Sequence, residues 1–446
     1  MTDLSQLRKI HVVGIGGAGM SAIAEVLATM GHRVTGSDAV DLPVINRLRR
    51  LGVDARVGFD AGNVGDAELL TVSTAWLTGN VEVDEARRRG VPVLRRAEAL
   101  AAICALRRTI AVAGTHGKTT TSALLATILL GAGCRPSFIV GGELRDLGTG
   151  ARWDDGEWMV VEADESDGTF LELPAEVAVV TSVEPDHLEH WGGYQRLEQG
   201  FRDFVAAAKA GVVCADDPGA AALAVTAPNT TTYGFAEDAD RRILDYAGGQ
   251  GAARFELAGV EVGVPLPGRH NALNAAAAIA AAGHAGVAVA EAADALAGFG
   301  GVGRRFDRRG EAGGVTYVDE YAHLPTEVKA SIAAAREGGW RRVVAVFQPH
   351  RYSRTAALWQ DFAQAFDGAD VVAVTEIYSA GEPARPGVTA KRIVDAVLDG
   401  DPHRRVAWLP DRAALLAFLR RELRPGDLCL TLGAGDLTTL PAELLA

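Results

Sequence analysis

Between Thr109 and Leu130 the chain passes from an apolar run to an Ala/Leu-rich one through the stretch Ala111–Thr121, A-V-A-G-T-H-G-K-T-T-T. Thr109-Ile110-Ala111-Val112-Ala113 has the composition of a buried strand, and Ser122 to Leu130 reads as a helix closed by Gly131. A glycine-containing turn between such elements aims the free N–H groups of a helix N-terminus at whatever binds, and the helix dipole favours an anion there. Lys118 adds a mobile positive charge and Thr119 a hydroxyl suited to Mg²⁺, so the stretch reads as a phosphate loop for ATP. The usual G-x-x-x-x-G-K-[ST] pattern is altered, because Val112 stands where its first Gly belongs and Gly114 and Gly117 supply the flexibility. The alternative is a plain strand-to-helix turn with an incidental lysine.

A second glycine loop lies near the start. Lys9-Ile10-His11-Val12-Val13 is a strand candidate, Gly14-Ile15-Gly16-Gly17-Ala18-Gly19-Met20 follows, and a helix runs from Ser21 to Met30. This is G-x-G-x-x-G in its strand-turn-helix setting, and His32 to Asp38 forms a second strand ending in an acid able to bond ribose hydroxyls. The pattern fits a dinucleotide or a nucleotide-sugar equally. Strands at Val53–Gly58, Leu69–Thr74 and Val91–Leu94, with a charged helix from Glu82 to Arg89, continue a β-α alternation that implies a parallel sheet. Ser73 and Thr74 end their strand where open α/β sheets place ligand contacts, or serve as mere caps.

Beyond the phosphate loop, Trp158–Val161 delivers Glu162 at a strand end, and Asp164, Glu165 and Asp167 follow. Acids so placed beside a phosphate loop hold a metal or its water shell, unless they form a solvated loop. After the strand Val177–Val183 comes His187, a second metal ligand or a helix-start hydrogen bonder. Helix Gly200–Ala210, strand Gly211–Cys214 and a β-rich region from Thr230 to Val264 lead to His270-Asn271-Ala272-Leu273-Asn274 and an alanine helix. Asn271 and Asn274 share a helix face and suit reading of a base, while a helix cap accounts for Asn271 equally well. Arg304 and Arg305 lie in a glycine-flanked hinge, and an arginine there suits a γ-phosphate; a solvent-exposed basic linker is the alternative. Alternation then resumes. Strands at Val315–Val318, Arg342–Phe347, Val371–Val374, Val406–Leu409 and Leu428–Leu432 place polar and cationic residues at their ends, and Pro325 suits a first helical position.

The chain's 446 residues suggest three domains at about 150 residues each, and 48% hydrophobic residues supply ample core. A formal net charge of −13 without a basic block lacks the electrostatic footprint of a nucleic-acid binder. The polar start Met1–Gln6 lacks the features of a signal peptide, and no apolar run approaches the ~20 residues of a membrane span. Cys104, Cys134, Cys214 and Cys429 lie far apart, as in a reducing compartment, so a soluble cytoplasmic protein without a membrane or nucleic-acid partner is expected.

Taken together, Gly14 to Ser21, Gly114 to Thr121, Glu162 to Asp167, His270 to Asn274 and Phe347-Gln348-Pro349-His350-Arg351-Tyr352-Ser353-Arg354 resemble the Mur ligase family, with likeness across the whole chain. The resemblance implies an α/β protein of three domains: a Rossmann-like UDP-sugar-binding domain (1–106), a P-loop-containing central ATPase domain with a parallel sheet (107–312), and a Rossmann-like C-terminal domain (313–446). It implies ATP-dependent joining of L-alanine to the carboxylate of UDP-N-acetylmuramate through an acyl phosphate, with ATP bound first and domain closure assembling the site. It resolves the first loop, with Gly16, Gly17, Ala18, Gly19, Met20, Asp38, Ser73 and Thr74, as the UDP-sugar site. For ATP it implies Gly114, Thr115, His116, Gly117, Lys118, Thr119, Thr120, His270, Asn271, Asn274, Arg305 and Asp319. Thr119 and Glu162 would hold one Mg²⁺ and His187 a second, while Tyr321, His323, His350, Arg351 and Arg354 would face the acyl phosphate and the incoming alanine. A monomer or weak homodimer is the expected state.

Three departures from the family pattern stand out. D-D-Y-x-H-H-P becomes Asp319-Glu320-Tyr321-Ala322-His323-Leu324-Pro325, T-N-I becomes Thr181-Ser182-Val183, and S-S-A-I becomes Ser73-Thr74-Ala75-Trp76. They bear on the amino-acid contacts and on the pose of the sugar.

Overall fold

The computed structural model describes residues 4–227 and 229–446; Met1 to Asp3, which begin the polar Met1–Gln6 stretch, lie outside the described residues. The chain is α/β throughout and carries three sheets in two compact units. Of the described residues, one unit takes 4–227, 229–244, 257–260 and 273–299, and the other takes 245–256, 261–272 and 300–446.

In the first unit, β1 (Lys9–Val13), β2 (Arg33–Asp38), β3 (Asp54–Val57), β4 (Leu69–Val72) and β5 (Val93–Arg95) form a parallel sheet of order β3-β2-β1-β4-β5. Ile10, Val12 and Val13 are fully buried, as a central parallel strand covered on both faces requires. The order reverses at β1. Val13 pairs with Ser37 on one side and Val72 on the other, so Gly14, Asp38 and Ser73 meet at the carboxyl edge where such sheets bind ligands.

The same unit holds β6 (Arg108–Ala113), β7 (Ser137–Leu144), β8 (Thr149–Arg152), β9 (Trp158–Glu162), β10 (Ala175–Val180), β11 (Ala210–Cys214) and β12 (Thr230–Gly234). Their order is β12-β11-β10-β6-β9-β7-β8, with β8 antiparallel to β7 and the other pairs parallel. Again β6 sits at a reversal: Ala113 pairs with Val180 and Val112 with Glu162, which brings Gly114, Thr181 and Glu162 to one edge. Glu25 joins the two sheets, accepting from Thr149 Oγ1 at 2.6 Å and pairing with Arg47 at 2.9 Å. The β-rich region contains β12, β13 (Arg241–Gly249), β14 (Ala252–Leu257) and β15 (Val260–Val264).

In the second unit, β16 (Asp307–Ala312), β17 (Val315–Glu320), β18 (Arg342–Phe347), β19 (Val371–Val374), β20 (Val406–Trp408) and β21 (Asp427–Leu432) take the order β16-β17-β21-β18-β19-β20. Only β16 among these runs antiparallel to its neighbour. Phe347, Phe362 and Phe366 pack ring against ring in its core, and the register aligns Glu320, Leu432, Phe347 and Val374 at the carboxyl edge.

Several element limits differ from the sequence reading. The helices after the glycine loops begin at Ala18 and Lys118 rather than at Ser21 and Ser122, because Gly17 and Gly117 already occupy the N-cap. The helix expected over Gly200–Ala210 spans Tyr194–Ala207, with Gly200 inside it because a side chain there would meet the Trp191 ring at 2.7 Å. Strand β10 stops at Val180, since Thr181 and Ser182 turn toward the phosphate loop. Asn271 is no cap: its helix starts at Arg269, and its Nδ2 donates to the Pro267 carbonyl at 2.7 Å. The charged helix is Val81–Arg88, yet Glu82 in it is fully buried.

Candidate active site

The first glycine loop is shaped by what it must pass. Gly14 has φ +75°, and a Cβ there would meet Ser73 Oγ at 2.7 Å, so no other residue fits beside that strand end. Gly16 N–H donates to Asp38 Oδ2 at 2.8 Å. The acid expected to bond a ribose thus also braces the loop. Gly17, Ala18, Gly19 and Met20 open the helix Ala18–Thr29, and Thr74 begins a short turn of helix with Ser73 at its N-cap. Arg96 was not singled out from sequence, yet its Nη1 lies 3.2 Å from where a Gly19 side chain would begin. Asp167 at 2.7 Å and Thr169 at 3.2 Å hold that guanidinium beside the helix end.

The second loop is bound more tightly. Gly114 has φ +131°, and a Cβ would collide with Thr181 Oγ1; Gly117, at φ +79°, lies against Asn274 Oδ1. Thr115 N–H donates to Ser182 O at 2.9 Å and His116 N–H to Ser182 Oγ at 3.0 Å. The T-N-I departure thus supplies a hydroxyl that the loop uses. Thr181 Oγ1 also donates to the His116 carbonyl, and His116 Nε2 lies 3.2 Å from Glu184 Oε2. Thr119 Oγ1 donates to Glu162 Oε1 at 3.0 Å while Gly141 N–H donates to Glu162 Oε2 at 2.6 Å. A hydroxyl beside a carboxylate at a phosphate loop is a hard-oxygen donor set of the kind Mg²⁺ takes along with water and phosphate.

Lys118 donates to the Gly114 carbonyl at 2.6 Å and pairs with Glu165 at 2.8 Å. Burial works against its charge, but the carboxylates of Glu165, Asp164 and Glu162 outweigh it and hold its pKa above the ordinary value. Glu165 was visible only as one of a cluster of acids. Nothing in the sequence marked it as the lysine's partner, because the loop after β9 turns it inward through tertiary contacts such as Trp191 Nε1 to the Glu165 carbonyl at 3.0 Å. Thr120 is buried in the first helical turn, and Thr121 Oγ1 donates to Asn274 Oδ1 at 3.3 Å, fastening Asn274 beside the loop. His187, with φ +51°, lies on the loop whose first residue, Glu184, accepts from and donates to Thr115 Oγ1. Its own ring is 3.4 Å from Asp186. Among the described residues no three His, Cys, Asp or Glu side chains converge into a metal cage.

The second unit gathers a separate set. Asp319 is only 1% exposed, and Thr431, Thr438 and Arg304 surround its carboxylate at 2.8, 2.6 and 3.6 Å. It lies behind the sheet edge, not on it. Arg304 and Arg305 both stack near the Tyr321 ring, at 4.7 and 5.0 Å. His270 is pushed down to about 4 by burial and by the Arg305 charge.

His323 Nδ1 lies 3.1 Å from the Tyr321 carbonyl, so that nitrogen carries the proton, and its ring centre is 5.5 Å from that of His350. His350 takes the opposite tautomer. Arg354 Nη1, which can only donate, lies 3.1 Å from His350 Nδ1, leaving the proton on Nε2. Burial first, then the charges of His323, Arg354 and Arg351, push His350 down to about 3. Arg351 has φ +69°, a strained value for a residue with a side chain, and its buried Nε has no hydrogen-bond partner. Strain and an orphaned donor together mark an anion subsite. Leu324, the replaced histidine, points into the core at 5% exposure. The Glu320 carboxylate turns to the hinge backbone and is pushed up to about 7 by burial, against the opposing charge of Arg305.

Residues 9–108 match the Mur ligase family catalytic domain, residues 112–282 the Mur ligase middle domain, and residues 304–435 the Mur ligase glutamate ligase domain. A UDP-N-acetylmuramate–L-alanine ligase of Dinoroseobacter shibae is 45% identical, covering 99% of this chain and 98% of the relative. Its counterpart in Paracoccus denitrificans is 46% identical over 97% of this chain and 95% of its own. The crystal structure of UDP-N-acetylmuramate–alanine ligase from Thermotoga maritima superposes with a TM-score of 0.83 at 28% identity, covering 98% of each chain.

Proposed function

The chain belongs to the Mur ligase family, and from that premise we propose that it joins L-alanine to the carboxylate of UDP-N-acetylmuramate at the expense of ATP, in the cytoplasmic synthesis of peptidoglycan precursor. The observation that carries this reading is the near full-length identity of 45% to a relative of that name. In the reaction a carboxylate oxygen of the sugar attacks the γ-phosphorus and ADP leaves. The alanine amine then attacks the acyl carbon, loses a proton, and expels phosphate from a tetrahedral intermediate.

Two anions must meet in the first step, so the protein has to supply fixed positive charge and donors. Gly117 and Thr120 present backbone N–H groups to the phosphates, Gly114, Thr115 and His116 shape the loop around them, and Lys118 exchanges Glu165 for the β- and γ-phosphates. Thr119 and Glu162 would hold one Mg²⁺ and His187 a second, and these ions would screen the repulsion between γ-phosphate and carboxylate. Asn274, with His270 and Asn271, serves the adenosine, and Arg305 the γ-phosphate. Gly16 to Met20, Asp38, Ser73 and Thr74 bind the UDP-sugar, with Arg96 an added contact for its diphosphate.

In the second step the Arg351 guanidinium takes the alanine carboxylate, with Arg354 behind it. His350, neutral and protonated on Nε2, donates to the acyl phosphate, while His323 and Tyr321 pack beside it and face the acyl phosphate and the incoming amine. Asp319 acts from behind the edge, through Arg304. The working limits are 1–106 for the sugar domain, 107–312 for the ATP domain and 313–446 for the amino-acid domain. The protein acts as a monomer or weak homodimer without membrane or nucleic-acid partners. The test is phosphate release from ATP with Mg²⁺ and UDP-N-acetylmuramate, with L-alanine, without it, and with an L-Ala-γ-D-Glu-containing tripeptide instead. Release that requires L-alanine is expected; release only with the tripeptide overturns the acceptor, and none in any arm overturns the reaction.

A further inference from the structure

We propose that Glu320 is a positioning residue that presents Arg305 for catalysis by clamping the hinge backbone at Phe306. The inference rests on the reading of Arg305 as the group that meets the γ-phosphate. Glu320 ends β17 and is 7% exposed, and its two carboxylate oxygens are divided between two backbone donors. Oε2 accepts the Phe306 N–H at 2.7 Å and Oε1 accepts the Tyr321 N–H at 2.8 Å.

The clamped segment is one that would not hold its shape unaided. Arg304 has φ +63° and Phe306 φ +44°, both in the left-handed region that side chains disfavour. Arg305 lies between them, so those two dihedrals set the direction in which its side chain leaves the chain. On the Arg304 side the segment is bolted to the sheet edge. Its guanidinium donates to the carbonyls of Gly433 at 2.6 Å, Gly435 at 3.3 Å and Ala434 at 3.4 Å, and its own carbonyl shares the Tyr321 N–H with Glu320 Oε1, at 2.9 Å. On the Phe306 side the backbone N–H is held by Glu320. Strain maintained by this many contacts around an arginine is the signature of a group held in one pose for use.

The lengthened side chain fits this task. An aspartate at 320 would draw the carboxylate back by roughly one bond length, about 1.5 Å, and lose the Phe306 N–H. A glutamine keeps the length but must turn an NH₂ toward one of two N–H donors, so one clamp opens. The acid that departs from the family pattern thus acts on the hinge and not on the alanine site.

The test is a double-mutant cycle on the full-length protein with Glu320→Gln, Arg305→Ala and the combination, following kcat, KM for each substrate, and thermal unfolding. Glu320→Asp is carried alongside in case the glutamine variant fails to fold. Loss of the Arg305 donor is expected to lower kcat by about 10²–10³-fold. Either Glu320 variant should lower kcat by about tenfold or more while KM for L-alanine and UDP-N-acetylmuramate stays within twofold, and should lower it less than twofold further once Arg305 is alanine. If Arg305→Ala keeps full kcat, the reading of Arg305 falls and this inference with it. If Arg305→Ala is impaired while the Glu320 variants are silent, or their losses multiply independently, the inference alone is overturned.

Discussion

Replacing Glu82 by alanine should unfasten the first sheet just below its glycine loop. Its carboxylate is fully buried and takes four donors: His11 Nε2 at 3.1 Å, Ser37 Oγ at 2.5 Å, Asn63 Nδ2 at 2.7 Å and the Asp60 N–H at 3.1 Å. His11 Nδ1 in turn meets Thr35 Oγ1 at 2.7 Å, so one side chain ties β1 to β2. In the alanine variant Asn63 and Asp60, half-buried and exposed, regain water. His11 and Ser37 do not, and two buried donors left empty cost about 1–3 kcal/mol each. Together with the cavity left by the side chain the loss should be about 3–5 kcal/mol.

Glu82→Gln can aim its carbonyl at His11 and Ser37 and should lose only about 1–2 kcal/mol. Since a chain of several domains need not unfold in one step, the assay is hydrogen exchange in peptides covering Lys9–Val13 and Arg33–Asp38. The alanine variant should exchange there roughly a hundredfold to several thousandfold faster. Because Ser37 precedes Asp38, which braces Gly16, KM for the UDP-sugar should rise while KM for ATP holds. Burial pushes the Glu82 pKa up, but its donors outweigh burial and hold it below the ordinary 4.5. The stabilisation is therefore present above about pH 4.5 and is lost as pH falls through the lower folded value. Exchange within threefold of the parent, or faster exchange spread equally to Arg108–Ala113, refutes the argument.

Lys118→Met should lower kcat by about 10²–10³-fold and destabilise the protein, because it strands Glu165 in the interior; adding Glu165→Gln should restore the melting temperature without restoring phosphate release. Recovery of both would mean that the lysine is structural only. Gly114→Ala, which drives a methyl into Thr181 at φ +131°, should abolish ATP binding by calorimetry, and binding within tenfold of the parent would contradict the loop geometry. His350, pushed from 6.5 down to about 3, stays neutral across pH 6–8, so the kcat profile should have no limb from it and His350→Asn should lower kcat without changing the profile's shape. The neutral form also means that its contribution to stability is whole above pH 6.5 and drains away as pH falls toward 3, which acid titration of the melting temperature would register.

Local chemistry determined much of this protein before any packing was known. Strand-glycine-helix patterns can be read from sequence because glycine takes φ above zero at no steric cost and because a helix N-terminus offers donors wherever it forms. Ala111–Thr121 and Gly14–Met20 therefore revealed themselves, as did the strands Arg342–Phe347 and Val371–Val374, whose apolar runs end in polar residues. The pairing of side chains across the fold followed no such rule. Glu165 to Lys118, Glu82 to His11, Glu320 to Phe306 and Arg96 to Gly19 join positions brought together by strand order and loop closure. An acid in a charged-looking helix, or one methylene longer than the family pattern has, looks the same in sequence whether it faces water or a buried donor. Which of the two it faces depends on the register and order of parallel strands, and those are set by long-range packing.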